Sequence, residues 1–582
     1  MTHAFRRTSL PLALVLALGA LTGCDREAAP VTQPPAAEAS KQATWPSFVD
    51  QFIEQSFTHS PPFAVASGRH EFDGQLPDWS AEGLQKAVTW LEKARAEAEA
   101  FTDESLSQDQ RFQRDYVIAY IDKELFWIRD ARAPFNNVTY YFGYGLDPST
   151  YVTVPYAPLD QRMRAFIDYA KAIPGALAQI RSNLKTPMPR TFIGYGVAGF
   201  NGFADFYRKD IPTVFADVKD ESLHAELKQF LEPAAKAMAE MASWLESQRA
   251  QATEDFVLGP ERFAAMLRMT EGVTTPLDRL EAIGHADLER NLAALAEACK
   301  QYLPNGSIKA CVQKQEANKP EGGAVAGARA QLPMLRQFLV DHDVVSIPGT
   351  EEAKVEEAPA YNAQNAAYIN IPGPYEKNMP SVYYIAPADP KWSKAEQEAY
   401  IPGNANLLFT SVHEVWPGHF LQFLHSNRSS WRFGQLMVGY AFAEGWAHYT
   451  EEMMIEEGLA KDDPERHIGQ LLNALLRNVR YVCAIGLHTQ GMKVSDCEKM
   501  FVEKAYKDPG NARQQAARGT YDPAYLNYTM GKLMIRKLRS DWQAENPGKS
   551  LKQFHDQFLS YGGPPVPLVR TQMLKQQGGV LF

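Results

Sequence analysis

The chain has 582 residues, of which 45% are hydrophobic and 22% are charged. This composition is typical of a globular protein, and the length allows two to four domains and a large buried core. The net charge of −10 and the lack of a compact Lys/Arg stripe with interleaved aromatic residues argue against nucleic-acid binding, so no nucleic-acid partner is expected.

The N-terminus has the features of a bacterial export signal. A basic pair, Arg6-Arg7, precedes an apolar run, Leu10–Leu21, that is too short for an ordinary membrane span. The tetrapeptide LTGC, which ends at Cys24, resembles a lipobox; a secretory signal with an incidental cysteine is the alternative. Residues 1–23 are therefore predicted to be a lipoprotein signal peptide. Lipidated Cys24 is expected to anchor the chain to a membrane of the cell envelope, facing the periplasm.

A folded body is predicted to follow a tether. Residues 24–44 are rich in Ala, Pro, Gln and Glu, cannot form a packed core and are predicted to be flexible. Helical periodicity dominates residues 45–582, so the body is expected to be mostly α. The clearest helices are predicted at Ala81–Phe101, Gln108–Arg129, Glu221–Ala252, Pro276–Tyr302 and Leu332–Val340.

Two aromatic segments that contain glycine, Asn137–Tyr151 and Phe192–Phe203, have two interpretations. One interpretation is that they line a channel, and the other is that they are loops packed on the helices.

The body contains four cysteines, and in an oxidising compartment an even number favours disulfides. The sequence-local pairing, Cys299 with Cys311 and Cys483 with Cys497, is one of three that are possible. Buried free thiols are the alternative.

Two short strands are predicted at Ala367–Ile371 and Ser381–Ala386, where β-branched and aromatic residues are bounded by Pro and Gly. They would form a small hairpin just before the motif described next. The hairpin has two interpretations: an edge that pairs with an extended peptide, or a cover for the core.

The heptapeptide HEVWPGH, His413 to His419, resembles a stretched form of the zinc-binding His-Glu-x-x-His motif. On an ideal helix its two histidines would point about 120° apart, which is too far to share a metal easily. Pro417 and Gly418 predict that the helix is broken or bulged between them, which would bring His419 back beside His413. An incidental pair of histidines near a glutamate is the alternative.

A second helix is predicted at Tyr440–Glu457, with Glu444, His448 and Glu451 on one face. Glu444 has small and aromatic neighbours, which favours burial, and a buried carboxylate needs a cation. The sequence therefore predicts a Zn²⁺ site formed by His413, His419 and Glu444. A solvated acidic face is the alternative, and it is retained for the remaining glutamates of this helix.

These motifs resemble a known family. HEVWPGH, FAEGWAHYTEE, IGLH (485–488) and YDPAYLNYTMGKL (521–533) are similar, in that order, to motifs of the bacterial family called domain of unknown function 885, and the resemblance extends over most of the mature chain. At the site alone, the chain is similar to gluzincin zinc metallopeptidases of the thimet-oligopeptidase type. There too a glutamate ligand follows the second histidine by about 25 residues, with another glutamate seven residues later, and Glu444 and Glu451 match that pair. Ala484 departs from the family pattern, which often has an acidic residue shortly before Gly-x-His.

The resemblance implies a large helical fold of the thimet-oligopeptidase kind, with a deep channel, a small hairpin near the site and an active-site half at about residues 360–545. In gluzincins, a strand beside the site pairs with the extended peptide substrate. Glu414 is expected to act as general base, and Tyr528 and His488 to donate hydrogen bonds to the oxyanion. Glu451 and His448 are expected to orient a ligating imidazole. The candidates for contact with substrate are Tyr521, Tyr525, Tyr383 and Tyr384.

The function expected from the sequence is an envelope-anchored zinc metallopeptidase that hydrolyses short peptides. One alternative is a zinc hydrolase of another amide, such as a cell-wall stem peptide. The other is a lipoprotein without catalytic activity that binds peptides or a partner. Structural zinc sites are usually rich in cysteine and rarely place a glutamate between their histidines, which disfavours this last alternative.

Overall fold

The protein is described by a computed structural model that covers residues 44–359, 366–388, 392–574 and 580–582. Residues 45–582 form one compact unit, in which helices predominate. The predicted signal peptide, Cys24 and all but the last residue of the predicted tether lie outside the described residues. Within the described ranges, no helix combines the length and apolarity that crossing a bilayer requires.

The first group of helices precedes the sheet. These helices are α1 Trp45–His59, α2 Pro61–Ala66, α3 Ala81–Glu99, α4 Gln108–Leu125, α5 Ala133–Asn136, α6 Thr139–Gly143, α7 Ser149–Thr153, α8 Leu159–Asn183, α9 Arg190–Lys209, α10 Ile211–Val214, α11 Glu221–Ser247, α12 Pro260–Glu271, α13 Leu277–Tyr302, α14 Ile308–Ala317 and α15 Gly323–His342.

The second group of helices follows the sheet and contains the predicted site. These helices are α16 Lys394–Tyr400, α17 Asn404–Glu414, α18 His419–Ser426, α19 Arg432–Leu436, α20 Tyr440–Glu456, α21 Pro464–Thr489, α22 Val494–Glu503, α23 Pro509–Tyr521, α24 Asn527–Glu545, α25 Leu551–Ser560 and α26 Val566–Leu574.

All the helices predicted from periodicity are present, with differences at their ends. Helix α4 ends at Leu125 and continues as a π-helical turn, Phe126–Asp130. Helix α15 extends well beyond the predicted Leu332–Val340. The prediction missed its first turns because they are rich in Ala and Gly and show little apolar periodicity. Helix α20 ends one residue before the predicted Glu457.

Helix α9 corrects the interpretation of Phe192–Phe203 as a possible loop, because the whole segment is helical. Its glycines are unfavourable for an isolated helix, but they allow close packing. A Cβ on Gly196 would lie only 2.7 Å from a methyl carbon of Leu245 on α11. The other aromatic segment contains helices α6 and α7.

The sheet has three strands in the order β1 (Ala353–Glu357), β3 (Ser381–Ile385), β2 (Ala367–Asn370). Strands β2 and β3 are the predicted pair and are antiparallel. Strand β1, which is parallel to β3, was not predicted, because in AKVEE only Ala353 and Val355 are apolar and the other three residues are charged.

The side chain of Arg329 on α15 covers the outer edge of β1 by donating two hydrogen bonds, 3.0 and 2.7 Å long, to the carbonyl oxygen of Val355. The outer edge of β2 pairs with no strand among the described residues, and β2 contacts α17.

Helix α20 lies against α24 at a point where two glycines meet. A Cβ on Gly445 would clash with the Cα atom of Gly531, so any larger residue would push the helices apart. Helix α21 packs against both α13 and α17. Both disulfides of the sequence-local pairing are present, Cys299–Cys311 and Cys483–Cys497, and the second joins α21 to α22.

Candidate metal centre

The helix break predicted between the two histidines is confirmed. Helix α17 ends at Glu414 and α18 begins at His419, and the intervening turn contains a cis Trp416–Pro417 peptide bond. The N–H of Gly418 donates a 2.9 Å hydrogen bond to the carbonyl oxygen of Val412. A Cβ on Gly418 would overlap the carbonyl oxygen of His413, so only glycine fits there.

This turn brings the predicted ligands together. The ring centroids of His413 and His419 lie 4.8 Å apart. Glu444 on α20 places Oε2 at 3.2 Å from Nε2 of His413 and at 3.3 Å from Nε2 of His419. One ligand atom from each residue lies within 4.8 Å of the others, so the three could share one ion. Two imidazole nitrogens and a carboxylate oxygen are a donor set that suits Zn²⁺.

Solvent reaches this group from one side. The side chain of His413 is 6% exposed, whereas those of His419 and Glu444 are 14% and 19% exposed. Although burial and Arg477 lower the pKa of His413, its hydrogen bonds to Glu444 and Glu451 raise that pKa to about 9. The arrangement of carboxylates therefore requires a positive charge at this point, either a proton or a cation.

A fully buried carboxylate fixes the ring of His413 from behind. Oε1 of Glu451 lies 2.8 Å from Nδ1 of His413, which leaves Nε2 directed at Glu444. Arg477 on α21 contacts the same oxygen of Glu451 at 3.1 Å. Burial raises the pKa of Glu451, but the charge of Arg477 holds that pKa well below its usual range, so Glu451 is ionised. This is the position of a residue that orients a metal-binding imidazole.

His448 lies on the other side of Glu451, with its Nδ1 at 3.4 Å from Oε2 of that residue. Burial lowers the pKa of His448 to about 4, so the ring is neutral. Its Nε2 is buried and has no hydrogen-bond partner among the described residues. His448 therefore supports Glu451 and is not part of the group of three.

Glu414 ends α17 directly after His413 and is only 8% exposed. Burial raises the pKa of Glu414, against the opposing charges of His413 and His419. A carboxylate with a raised pKa beside a metal site is suited to accepting a proton near neutral pH.

Tyr528, at the start of α24, lies against the ring of His413 with 6.2 Å between the centroids. Burial raises the pKa of Tyr528, and the charge of Glu444 adds to this effect, so the phenol keeps its proton and can donate it in a hydrogen bond. Three guanidinium groups surround its ring at 5.7, 4.9 and 5.9 Å from the centroid, those of Arg477, Arg480 and Arg518.

His488, predicted to donate to an oxyanion, has a structural position instead. Its Nε2 donates to the carbonyl oxygen of Gly519 at 2.8 Å, and its Nδ1 accepts from the N–H of Leu258 at 3.3 Å. Burial lowers its pKa to about 4, so one nitrogen donates and the other accepts. Both nitrogens are used by the backbone, and neither is available to a substrate.

Tyr525 and Tyr521 also differ from the expected substrate contacts. Tyr525 is fully buried, with its hydroxyl 3.9 Å from Sγ of Cys497, which is a packing position. Tyr521 is half-buried, and its ring packs against that of Tyr195 at 4.8 Å. The backbone carbonyl of Tyr521 accepts a hydrogen bond from Asn137.

Tyr383 and Tyr384 are adjacent on β3 and therefore point to opposite faces of the sheet. Tyr383 is fully buried, and its pKa is raised by burial and by the charge of Glu414. Tyr384 is on the other face, where its ring stacks on that of Tyr368 on β2 at 5.2 Å. The two tyrosines cannot contact a substrate together on one face.

Sequence reasoning missed the arginines of this site. Arg477 and Arg480 interrupt the apolar face of α21 at a spacing of i, i+3, and such a pair of buried arginines was a usable signal. Arg518 pairs with Asp522 at 2.9 Å and also donates to the hydroxyl of Tyr440.

Comparison with known proteins identifies the family. The family model described as "Bacterial protein of unknown function (DUF885)" matches residues 61–573. The chain belongs to this family. No match was found among curated proteins.

Two solved structures share the fold. One is a protein from Shewanella oneidensis described as a "putative lipoprotein" of unknown function: it is 24% identical, the match covers 91% of this chain and all of the other, and the TM-score is 0.74. The other, from Colwellia psychrerythraea, has the same description as a lipoprotein, 17% identity, coverage of 91% and 98%, and a TM-score of 0.75.

Proposed function

We propose that this protein is a zinc metallopeptidase that hydrolyses short peptides. The observation that carries the proposal is the convergence of His413, His419 and Glu444, with Glu414 directly adjacent. A site of purely structural zinc needs no partly exposed ligand face and no unpaired carboxylate beside it. Here the ligand face is open on the side of His419 and Glu444.

His413, His419 and Glu444 would hold the ion, whose chemistry in a hydrolase is that of a Lewis acid that polarises a carbonyl and acidifies water. Glu414 accepts the proton of the attacking water and delivers it to the leaving amine, for which its raised pKa is suited. Tyr528 donates a hydrogen bond to the oxygen on which negative charge develops.

The backbone of the substrate would be held by the outer edge of β2. That edge pairs with no described strand, and β2 contacts α17, which carries His413 and Glu414. A peptide added to this edge would be bound by main-chain hydrogen bonds that do not depend on its sequence. This arrangement favours a peptide over other amides, within a helical channel like that of the gluzincins.

The proposed location is the bacterial cell envelope, with the catalytic body facing the periplasm and held by lipidated Cys24. The two structural neighbours described as lipoproteins support this location, as do the two disulfides, which are typical of an oxidising compartment.

The proposal is tested with a mixed peptide library whose products are identified by mass spectrometry. The mature chain should cleave it, and Glu414→Gln should reduce turnover by about 10²–10⁴-fold, because general-base catalysis contributes this much. Glu297→Gln, the same change on an exposed face of α13, is the matched control and should behave as the unmodified chain. Turnover that survives in Glu414→Gln would rule out the assigned base.

A further inference from the structure

Arg480 on α21 is a buried cation without an acidic partner. It is only 8% exposed, and its Nε donates to Oε1 of Gln515 at 2.9 Å. No carboxylate among the described residues forms an ion pair with it. Its neighbours Arg477 and Arg518 are compensated, by Glu451 and Asp522.

Burial lowers the pKa of Arg480, and the neighbouring charge of Arg518 lowers it further.

A buried cation without an ion-pair partner is costly, because its desolvation is repaid only when an anion is bound. A guanidinium is also the group best suited to a planar carboxylate, which it binds with two parallel hydrogen bonds. The surroundings of Arg480 therefore have the chemistry of a carboxylate site.

This site is next to the proposed metal centre. The guanidinium carbon of Arg480 lies 4.9 Å from the ring centroid of Tyr528, and the ring of His413 lies 6.2 Å from the same centroid. Because each residue of an extended peptide spans about 3.3–3.6 Å, only about one to three residues separate Arg480 from the ligands.

We infer that Arg480 binds the C-terminal carboxylate of the peptide substrate, and this inference rests on the proposed function. Every short peptide has such a carboxylate, whereas acidic side chains occur only in some. The enzyme then removes one or a few residues from the C-terminus, because the carboxylate at Arg480 sets the distance to the bond that is cut.

The test compares three synthetic peptides by calorimetry on the Glu414→Gln chain, which is used to prevent turnover. The first peptide has a free C-terminus and no acidic side chain, the second is its C-terminal amide, and the third is an amide with an internal glutamate. The free acid should bind on the order of 100-fold more tightly than the amide. Arg480→Gln should abolish this difference.

The outcomes separate this inference from the proposed function. Equal affinity for acid and amide would overturn the inference, while cleavage of the library by the unmodified chain would leave the peptidase intact. Preference for the free acid without any cleavage would support the carboxylate site and overturn the peptidase. Tight binding of the third peptide would keep the carboxylate chemistry and move its source to a side chain.

Arg480→Gln could also unfold the chain, which a thermal melt would reveal. Even in that case, the affinities of the free-acid and amide peptides for the chain that keeps Arg480 still test the inference. Arg480→Lys, which preserves the charge but not the paired hydrogen bonds, should retain part of the preference.

Discussion

The proposed metal centre depends on the direction in which His413 presents its ring. Glu451 holds Nδ1 at 2.8 Å, so Nε2 points at Glu444. Arg477 keeps Glu451 ionised, and a charged acceptor forms a stronger hydrogen bond than a neutral one. Glu451 on α20 and Arg477 on α21 thereby fix the imidazole of His413 on α17.

At the residue scale, Tyr528→Phe tests the assigned oxyanion donor. The ring and its contact with His413 remain in this variant, and only the hydroxyl is lost. We expect kcat to fall more than KM rises, because the hydrogen bond forms in the transition state. Steady-state kinetics with a cleaved peptide measures both.

Tyr525→Phe is the matched control, since that hydroxyl is buried beside Cys497. It should leave kcat unchanged. If the two variants have the same kcat as the unmodified chain, Tyr528 is a packing residue.

Single residues could be predicted from sequence where a motif defined the chemistry. The spacing of the two motifs predicts that His413, His419 and Glu444 come together, and the family resemblance predicts the position of Glu451 behind them. His488 could not be assigned in this way, because the backbone atoms that use its nitrogens, at Leu258 and Gly519, are far away in sequence.

At the element scale, the site requires that one helix becomes two. Gly418→Ala should destabilise the protein by about 1–3 kcal/mol and reduce its zinc content, because the added methyl group would overlap the carbonyl oxygen of His413. Chemical denaturation and metal analysis measure the two effects.

Gly175→Ala is the control for the substitution itself. Gly175 is exposed on α8 and a Cβ there would meet nothing within 4 Å, so the change should be neutral or stabilise by about 0.5–1 kcal/mol. Normal zinc content and stability in Gly418→Ala would contradict the account of the turn.

Elements with strong periodicity were predictable, and elements fixed by distant contacts were not. The apolar spacing of α11 and α13 predicts both helices. Strand β1 has no such signal and is defined by its pairing with β3 and by Arg329. The glycines of α9 suggest a loop, but the close packing that they allow against α11 stabilises a helix.

At the scale of the whole molecule, His70 joins segments 306 residues apart. Its Nδ1 contacts Asp73 at 3.0 Å and its Nε2 contacts Glu376 at 2.9 Å. Burial lowers the pKa of His70, but these hydrogen bonds raise it to about 9, above its ordinary value of 6.5. The contribution of these His70 contacts to the stability of the folded protein is therefore complete below pH 6.5 and is lost as the pH rises through about 9.

His70→Gln should consequently lower the melting temperature at pH 6 and have a much smaller effect at pH 10. The measurement is a series of thermal melts of both chains across this range. His285→Gln, at an exposed histidine on α13, is the control and should show no such trend. A difference between His70→Gln and the unmodified chain that stays constant with pH would contradict the account.

The most direct test of the central claim is the zinc content of the purified mature chain, measured by inductively coupled plasma mass spectrometry beside that of Glu444→Ala. We predict one zinc ion per chain, and a strong loss of zinc in the variant, because Glu444 is the proposed third ligand. An unchanged zinc content in Glu444→Ala would contradict the assignment of Glu444 as the third ligand. A chain that binds no metal would contradict the account.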